Sequence, residues 1–535
     1  MPLLPLLALS ALVQAPPPPT QPGGAQDSSG PKRGVLVSTE GSAGGYTLYG
    51  PLRSTSTYLV DAQGKVAHEW KSDATPGQSV YLLPSGNLLR CERVDNEVFS
   101  GGGQGGRVRE YDWDSKIVWE YVCSDDKKLH HHDVEPLPNG NVLVIAWELK
   151  TEAEALAAGR SPQLLHAKQL WPDMVLEIEP VRPVGGKVVW EWHAWDHLVQ
   201  DRDPKLPNYG EIAAHPHRID VNISTLEPEA TPQELKELEE LRKLGYVDDS
   251  KPAQGGDRGG PPGRGADWFH CNAIDYSPEL DMLVLSSREL SELWFIDHST
   301  TTEQAKGSTG GRWGRGGDLL FRWGNPRWSK AEGERTLFCQ HDAQFINAGL
   351  PGAGHVLVFN NGEREVREFS TVDELEMTFT KESLAKPFAK EGGVAPKLVA
   401  SFRSPEYSSH ISGAQRLPNG NTLVCAGGAG RVIEFTPKSE IVWDFLNPIE
   451  GTAPMGGPGG GPGGRRGPPG GGPPGGGPPG GRPGGERRGP PGGGPPGGGP
   501  GGPGGPGDAR AMFRATRIPL DDPRLSRLQP TPSGG

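Results

Sequence analysis

Leu82-Leu83-Pro84-Ser85-Gly86-Asn87-Leu88-Leu89 returns as Pro136-Leu137-Pro138-Asn139-Gly140-Asn141-Val142-Leu143 and again as Arg416-Leu417-Pro418-Asn419-Gly420-Asn421-Thr422-Leu423. Asn-Gly between apolar runs is a hairpin signal and predicts a type I′ turn, which needs positive φ at both central residues. A second phrase follows the first and last copies. Gly106-Arg107-Val108 with Glu110-Tyr111 leads to Ile117-Val118-Trp119-Glu120-Tyr121, and Gly430-Arg431-Val432-Ile433-Glu434-Phe435 leads to Ile441-Val442-Trp443-Asp444-Phe445. Two successive hairpins make four strands, the content of one propeller blade. The last-strand signature ends at Trp70, Tyr121, Trp192, Trp323, Phe402 and Phe445, so the pattern predicts an all-β, six-bladed β-propeller over residues 34–450. Ring closure falls either to a strand near Val35 or to Met512–Ile518, and the pattern leaves both open.

Outward from the repeats, the rhythm breaks twice. Residues 198–266 form an insertion between blades. Within it Thr231 as N-cap, Pro232 at the first helical position and Glu234 closing a capping box predict a helix, with Leu235, Leu238 and Leu241 on one face. Gly255 to Gly265 reads as flexible loop. The second break, 451–509, is dominated by the Gly/Pro run Gly456–Gly507; it carries much of the excess in a chain of 535 residues with 80 Gly and 55 Pro. Collagen needs Gly strictly every third residue, and Gly470-Gly471-Gly472-Pro473-Pro474 breaks that period. With no apolar surface to bury, the tract is expected to stay disordered. Residues 510–535 form a C-terminal tail.

Leu3 to Val13 is apolar but too short to span a bilayer, and Val13-Gln14-Ala15 offers a small-residue cleavage site. Residues 1–15 therefore read as an export signal, 16–33 as a linker, and the mature protein as periplasmic or secreted. No later run is long enough for a transmembrane helix. The net charge of -12 argues against a nucleic-acid partner, which calls for a basic face. Five scattered cysteines, Cys91, Cys123, Cys271, Cys339 and Cys425, form no CxxC pair and read as small buried hydrophobes.

In a propeller the innermost strands line the central channel, and here four of them begin with histidine: His130-His131-His132-Asp133, His270-Cys271-Asn272, His341-Asp342 and His410-Ile411-Ser412. Counted from the next apolar residue, His132, His270, His341 and His410 all fall at even offsets, which predicts one shared direction. Asn272 and Ser412 share it, whereas alternation turns His131 away. Folding the strand back at the turn around Glu279 places Arg288 opposite His270. Three histidines and a water can form a catalytic zinc site. The fixed charge of Arg288 opposes a nearby cation and suits an anionic, oxygen-rich group instead, so no metal and no cofactor are assigned.

These motifs resemble the aryl-sulfate sulfotransferases that need no nucleotide sulfate. The resemblance rests on His270-x-Asn272 followed by Arg288, on Gln340-His341, on His132-Asp133 ahead of a Pro-Asn-Gly-Asn turn, on Trp190-Glu191-Trp192-His193 and on Trp323-Gly324-Asn325-Pro326. It runs from about Gly45 to Asn447, plus Phe513 to Leu520. It implies a six-bladed propeller, monomeric or homodimeric, that moves a sulfuryl group from a phenolic sulfate donor to a phenol acceptor through a transiently sulfurylated histidine. By position that nucleophile is His341. His132, His270 and Arg288 are the other catalytic candidates, and Asn272 and His410 the substrate-binding ones. The resemblance does not extend to the separate N-terminal β-sandwich of some members. Two other readings of the same residues remain: a propeller that binds a ligand or partner without chemistry, and a metal-dependent hydrolase or lyase.

Overall fold

The repeated Pro-Asn-Gly-Asn hairpin is not the predicted type I′ turn. Gly86, Gly140 and Gly420 have φ of +80°, +87° and +86°, while Ser85, Asn139 and Asn419 before them are not left-handed. Proline at the first corner holds φ near −65°, so each turn is type I and closes through a left-handed glycine. Gly140 N donates to Leu137 O at 2.9 Å and Leu137 N to Asn141 O at 2.8 Å. The asparagine after each glycine then reaches across the sheet: Asn87, Asn141 and Asn421 donate to Glu110, Glu177 and Glu434 at 2.7, 2.6 and 2.7 Å. The motif recurs because one side chain ties the turn to the third strand.

The computed structural model describes residues 32–226, 265–390, 392–453 and 509–528. Six antiparallel sheets form the blades. From the axis outward, blade 1 is Met512–Ile518, Tyr46–Pro51, Ser56–Val60 and Val66–Lys71, and blade 2 is Pro76–Leu82, Leu88–Arg93, Gly106–Tyr111 and Ile117–Val122. Blade 3 is Lys128–Pro136, Val142–Glu148, Asp173–Pro180 and Gly186–His193, and blade 4 is Cys271–Ser277, Met282–Ser287, Glu292–Asp297 and Phe321–Trp323. Blade 5 is His341–Phe345, Val356–Asn360, Thr371–Glu376 and Lys397–Arg403, and blade 6 is Gly413–Arg416, Thr422–Ala426, Arg431–Phe435 and Ile441–Leu446. Each innermost strand packs on the next around the ring.

Both candidate strands close the ring. Met512–Ile518 is the innermost strand of blade 1, paired with Tyr46–Pro51, and Gly34–Ser38 adds a fifth, outermost strand to blade 6, paired with Ile441–Leu446. These two strands are thus held by ladder hydrogen bonds at opposite edges of adjoining blades.

The core lies between blades. Leu143, Val175, Ile274 and Leu283 pack blade 3 on blade 4, and Val284, Phe295, Val356 and Val358 pack blade 4 on blade 5. Outer-strand tryptophans fasten the next blade with their indole N–H: Trp119 to Gly185 O, Trp192 to Gly317 O and Trp443 to Ala62 O, each at 2.8 Å. A buried indole needs such a partner, so tryptophan here both fills and fastens. All five cysteines are unpaired, and only Cys339 is not fully buried.

Within the insertion, Leu198–Val199 pairs in parallel with Ile219–Asp220. The helix read at Thr231, the leader and the Gly456–Gly507 tract lie outside the described residues. Among the described residues no helix is long and apolar enough to cross a membrane.

Candidate active site

Innermost strands of blades 3 to 6 enter the channel through a kink. His132, His270, Cys339, Asp342, Ile411 and Ser412 have φ between +49° and +90°. The ladder carries one extra residue between Cys271 and Ile274 and one between His341 and Gln344, and it is also broken between His130 and Val134. Counting by twos holds only along an unbroken pleat, so the even-offset argument for a shared direction fails at these strands. The bulges re-aim the rings toward one mouth instead.

At that mouth the His132 and His270 rings meet edge to face with centroids 4.5 Å apart. Arg288 lies opposite His270, its backbone N donating to His270 O at 3.3 Å, as the fold-back around Glu279 predicted. Its guanidinium pairs with Glu289, and its charge reaches His270, His341 and His410. His410 is exposed at the rim, its ring Nδ1 3.2 Å from the Ser409 hydroxyl and its backbone O accepting from the Ser408 hydroxyl at 3.0 Å. Asn272 is fully buried: its Nδ2 donates to Gln340 O at 2.8 Å, directly behind His341, and its Oδ1 has no partner.

His341 is held in one tautomer. Nδ1 stands 2.8 Å from Asn361 Oδ1 and 3.1 Å from Cys339 O, both acceptors, so Nδ1 carries the proton. The Asn361 amide is itself fixed, because its Nδ2 donates to Ser408 O and Ile411 O at 2.7 and 2.9 Å. The lone pair is therefore on Nε2, where Ile411 N–H caps it at 3.1 Å. Burial, then Arg288, holds His341 well below the ordinary imidazole value, so the ring is neutral. His132 is also held well below it, by burial and by His270, His131, His341 and His130. His270 differs. Burial pulls it down, but the Asp267 carboxylate, 2.5 Å from Nδ1, raises it overall.

Sequence reasoning did not find Asp267, Asn361, or the segment Gly101-Gly102-Gly103-Gln104-Gly105-Gly106. The first two carry no motif, since their roles depend on which ring they meet. The glycine run was visible, and its purpose is close approach. A Cβ on Gly103 would sit 2.0 Å from the His132 ring, and one on Gly105 2.3 Å from His130 Nδ1. Bare backbone lies on the histidines there, and Gly103 O accepts His132 N–H at 2.8 Å.

His131 is not turned away from the site. Its Nδ1 is 2.8 Å from His132 Nδ1, which the left-handed φ of His132 allows. Among the described residues no three His, Cys, Asp or Glu side chains are grouped to hold a metal ion. A cavity of about 820 Å³ opens at the far end of the channel, lined by Glu135, Asp275, Asp342 and Arg514 and by none of the five mouth residues His132, His270, Arg288, His341 and His410.

The family model described as arylsulfotransferase (ASST) matches residues 47–444. No curated protein matches the chain. Similar solved structures include a protein of unknown function from Bacteroides caccae, with 10% identity, a TM-score of 0.38 and coverage of 75% of this chain and 93% of that one. A periplasmic gluconolactonase from Pseudomonas aeruginosa has 12% identity, a TM-score of 0.36 and coverage of 75% and 96%. A virginiamycin B lyase from Staphylococcus aureus has 9% identity, a TM-score of 0.34 and coverage of 79% and 92%. Likenesses this distant carry no functional argument.

Proposed function

The chain belongs to the arylsulfotransferase family, and on that premise we propose that it moves a sulfuryl group from a phenolic sulfate ester to a phenol, with His341 carrying the group between two half-reactions. The observation that carries this reading is the tautomer of His341: a neutral ring with Nδ1–H held by Asn361 and Cys339 and its lone pair on Nε2. Such a ring is a nucleophile without first losing a proton.

Sulfuryl transfer, like phosphoryl transfer, spreads charge over three oxygens, so positioning and electrostatics dominate. Nε2 attacks sulfur, the S–O bond to the phenol breaks, and the phenolate leaves. The sulfurylated ring becomes an imidazolium, and its Nδ1–H bonds to Asn361 and Cys339 stabilise that charge. Arg288, with the raised-pKa His270 beside it, faces the sulfuryl oxygens. Asn272 holds the backbone of the residue preceding His341 through Gln340 O. His132 protonates the leaving phenolate and then takes the proton of the acceptor phenol. The Ile411 cap has to open before attack. Ile411 and Ser412 sit at φ of +49° and +90°, a conformation that costs a β-branched residue about 1–3 kcal/mol, so the loop begins under strain. His410, at the rim, is placed to meet the acceptor. The leader read in residues 1–15 supports a periplasmic or secreted site of action.

The test is chemical. Protein mixed with 4-nitrophenyl sulfate and no acceptor should release one equivalent of nitrophenol in a burst and gain one sulfuryl group. Peptide mapping at alkaline pH, where the N–S bond survives, should place it on His341. An adduct on His132 or His270 would move the nucleophile, and turnover with no adduct and no burst would rule out the covalent route.

A further inference from the structure

His132 is the acid and base of the proposed reaction, and this inference rests on that reading. Among the described residues none bonds its Nε2, which leaves that nitrogen to meet a phenolic oxygen. Its other nitrogen is not free. His132 Nδ1 is 2.8 Å from His131 Nδ1. His131 Nε2 is 2.9 Å from Asp173 Oδ1, a close contact not aligned as a hydrogen bond, and that oxygen accepts Cys271 N–H at 3.3 Å. All three side chains are buried, with His131 and Asp173 at 0% exposure and His132 at 3%. Trp147 stacks on the His131 ring at 4.1 Å and 12°, which holds the middle of the chain in place.

We propose that Asp173 and His131 form a proton relay behind His132, with Asp173 as the reservoir that stores the proton between half-reactions. With Asp173 protonated and its carboxyl turned to bring the O–H into line with His131 Nε2, His131 Nδ1–H donates to His132 Nδ1, and His132 presents Nε2–H to the donor. When the S–O bond breaks, the phenolate takes the proton from His132 Nε2. His132 Nδ1 takes the proton of His131 Nδ1, and His131 Nε2 takes that of Asp173, leaving a carboxylate. The acceptor phenol reverses every step: its proton enters at His132 Nε2 and Asp173 is neutral again. One proton crosses, neither His131 nor His132 becomes an imidazolium, and the atoms balance.

The electrostatics require such a store. Burial pushes His131 down to about 3, and burial with the neighbouring rings pushes His132 well below its ordinary value, so neither holds an extra proton at neutral pH. Burial and the nearby Asp267 carboxylate push Asp173 well above the usual carboxylate range, against the opposing pull of His270. The carboxyl is the group in the chain that can be neutral when loaded.

Single-turnover release from two donors tests the relay. The nitrophenolate of 4-nitrophenyl sulfate leaves with little help, whereas the phenolate of phenyl sulfate needs a proton. In Asp173→Asn, which keeps the shape, and in His131→Phe, which keeps the stack on Trp147, nitrophenol release should stay within about 3-fold of the parent, while phenol release falls about 100-fold or more. Melting curves check the fold, and either variant alone decides if the other does not fold. Equal loss with both donors would make the pair mere packing, and unchanged release with both would remove the relay. A parent protein that sulfurylates from neither donor would bring down the sulfotransferase reading itself, and the relay with it.

Discussion

The two ends of the central channel are built from the same innermost strands, yet their polar side chains do opposite work. At the far end they lace the ring. Asp133 of blade 3 accepts Ile274 N–H of blade 4 at 3.2 Å, Asp275 of blade 4 accepts Phe345 N–H of blade 5 at 2.7 Å, and Asp342 of blade 5 accepts Ala414 N–H of blade 6 at 2.8 Å. Gln415 of blade 6 continues to Arg517 N–H of blade 1 at 2.7 Å. Arg514 closes the circuit, 2.6 Å from Asp133, 2.8 Å from Asp342 and 2.9 Å from the Tyr81 hydroxyl. At the mouth, among the described residues, His132 Nε2 has no hydrogen-bond partner and His341 Nε2 meets only a strained backbone N–H. Buried polar groups saturated by neighbouring backbone hold a fold, whereas groups with an unspent lone pair are the ones available for chemistry.

That contrast is sharpest at His341 and Arg514. His341→Asn removes the proposed nucleophile but keeps a small polar side chain. Phenol release from an aryl sulfate should fall by at least about 10⁴-fold, with the melting transition little changed. Arg514→Met should do the reverse. It leaves Asp133 and Asp342 buried without their cation, a loss of about 3–5 kcal/mol in denaturant unfolding. Unchanged stability in that variant would show that the lacing carries no weight, and turnover by the His341 variant would erase the division between the two ends.

A pH profile probes the far side in a graded way. His298 of blade 4 sits between Asp281 and Glu177, both at 3.0 Å, and Glu177 also holds Asn139 and Asn141 of the cavity rim. Burial opposes its charge, but the two carboxylates outweigh burial and raise it to about 9. A raised pKa means stabilisation fully present below the unfolded value near 6.5 and lost as pH rises through 9. The pair of values sets a contribution of about 3 kcal/mol. Unfolding free energies at pH 6 and pH 10 should show that decline, and His298→Gln should flatten it. A parent-like slope in the variant would assign the decline to other groups.

The smallest effect is expected where neither end is touched. Gly451 N donates to Ala509 O at 2.8 Å, so the two flanks of the Gly/Pro tract already lie side by side. Deleting 456–507 should change stability by less than about 0.5 kcal/mol and leave turnover intact. Loss of cooperative melting would show that the tract is structural.

What the sequence determined by itself was the repeat. Hairpin turns, outer-strand aromatics and the histidines at strand entries are local patterns, and local patterns suffice for blade number, strand order and the position of Arg288 opposite His270. Even there the turn type was misread, because proline's fixed φ at the first corner overrides what Asn-Gly favours elsewhere. Only the tertiary structure decided the rest. Both termini join the ring because closure depends on which free sheet edges meet, and adjacency in space leaves no trace along the chain. The aim of each histidine was set by a bulge, a long-range adjustment of one strand to its neighbour. The neighbours of those rings, Asn361 for His341, Asp267 for His270 and His131 for His132, are ordinary residues in the sequence. Their meaning comes from a burial deep enough that a single hydrogen bond fixes a tautomer and a charge.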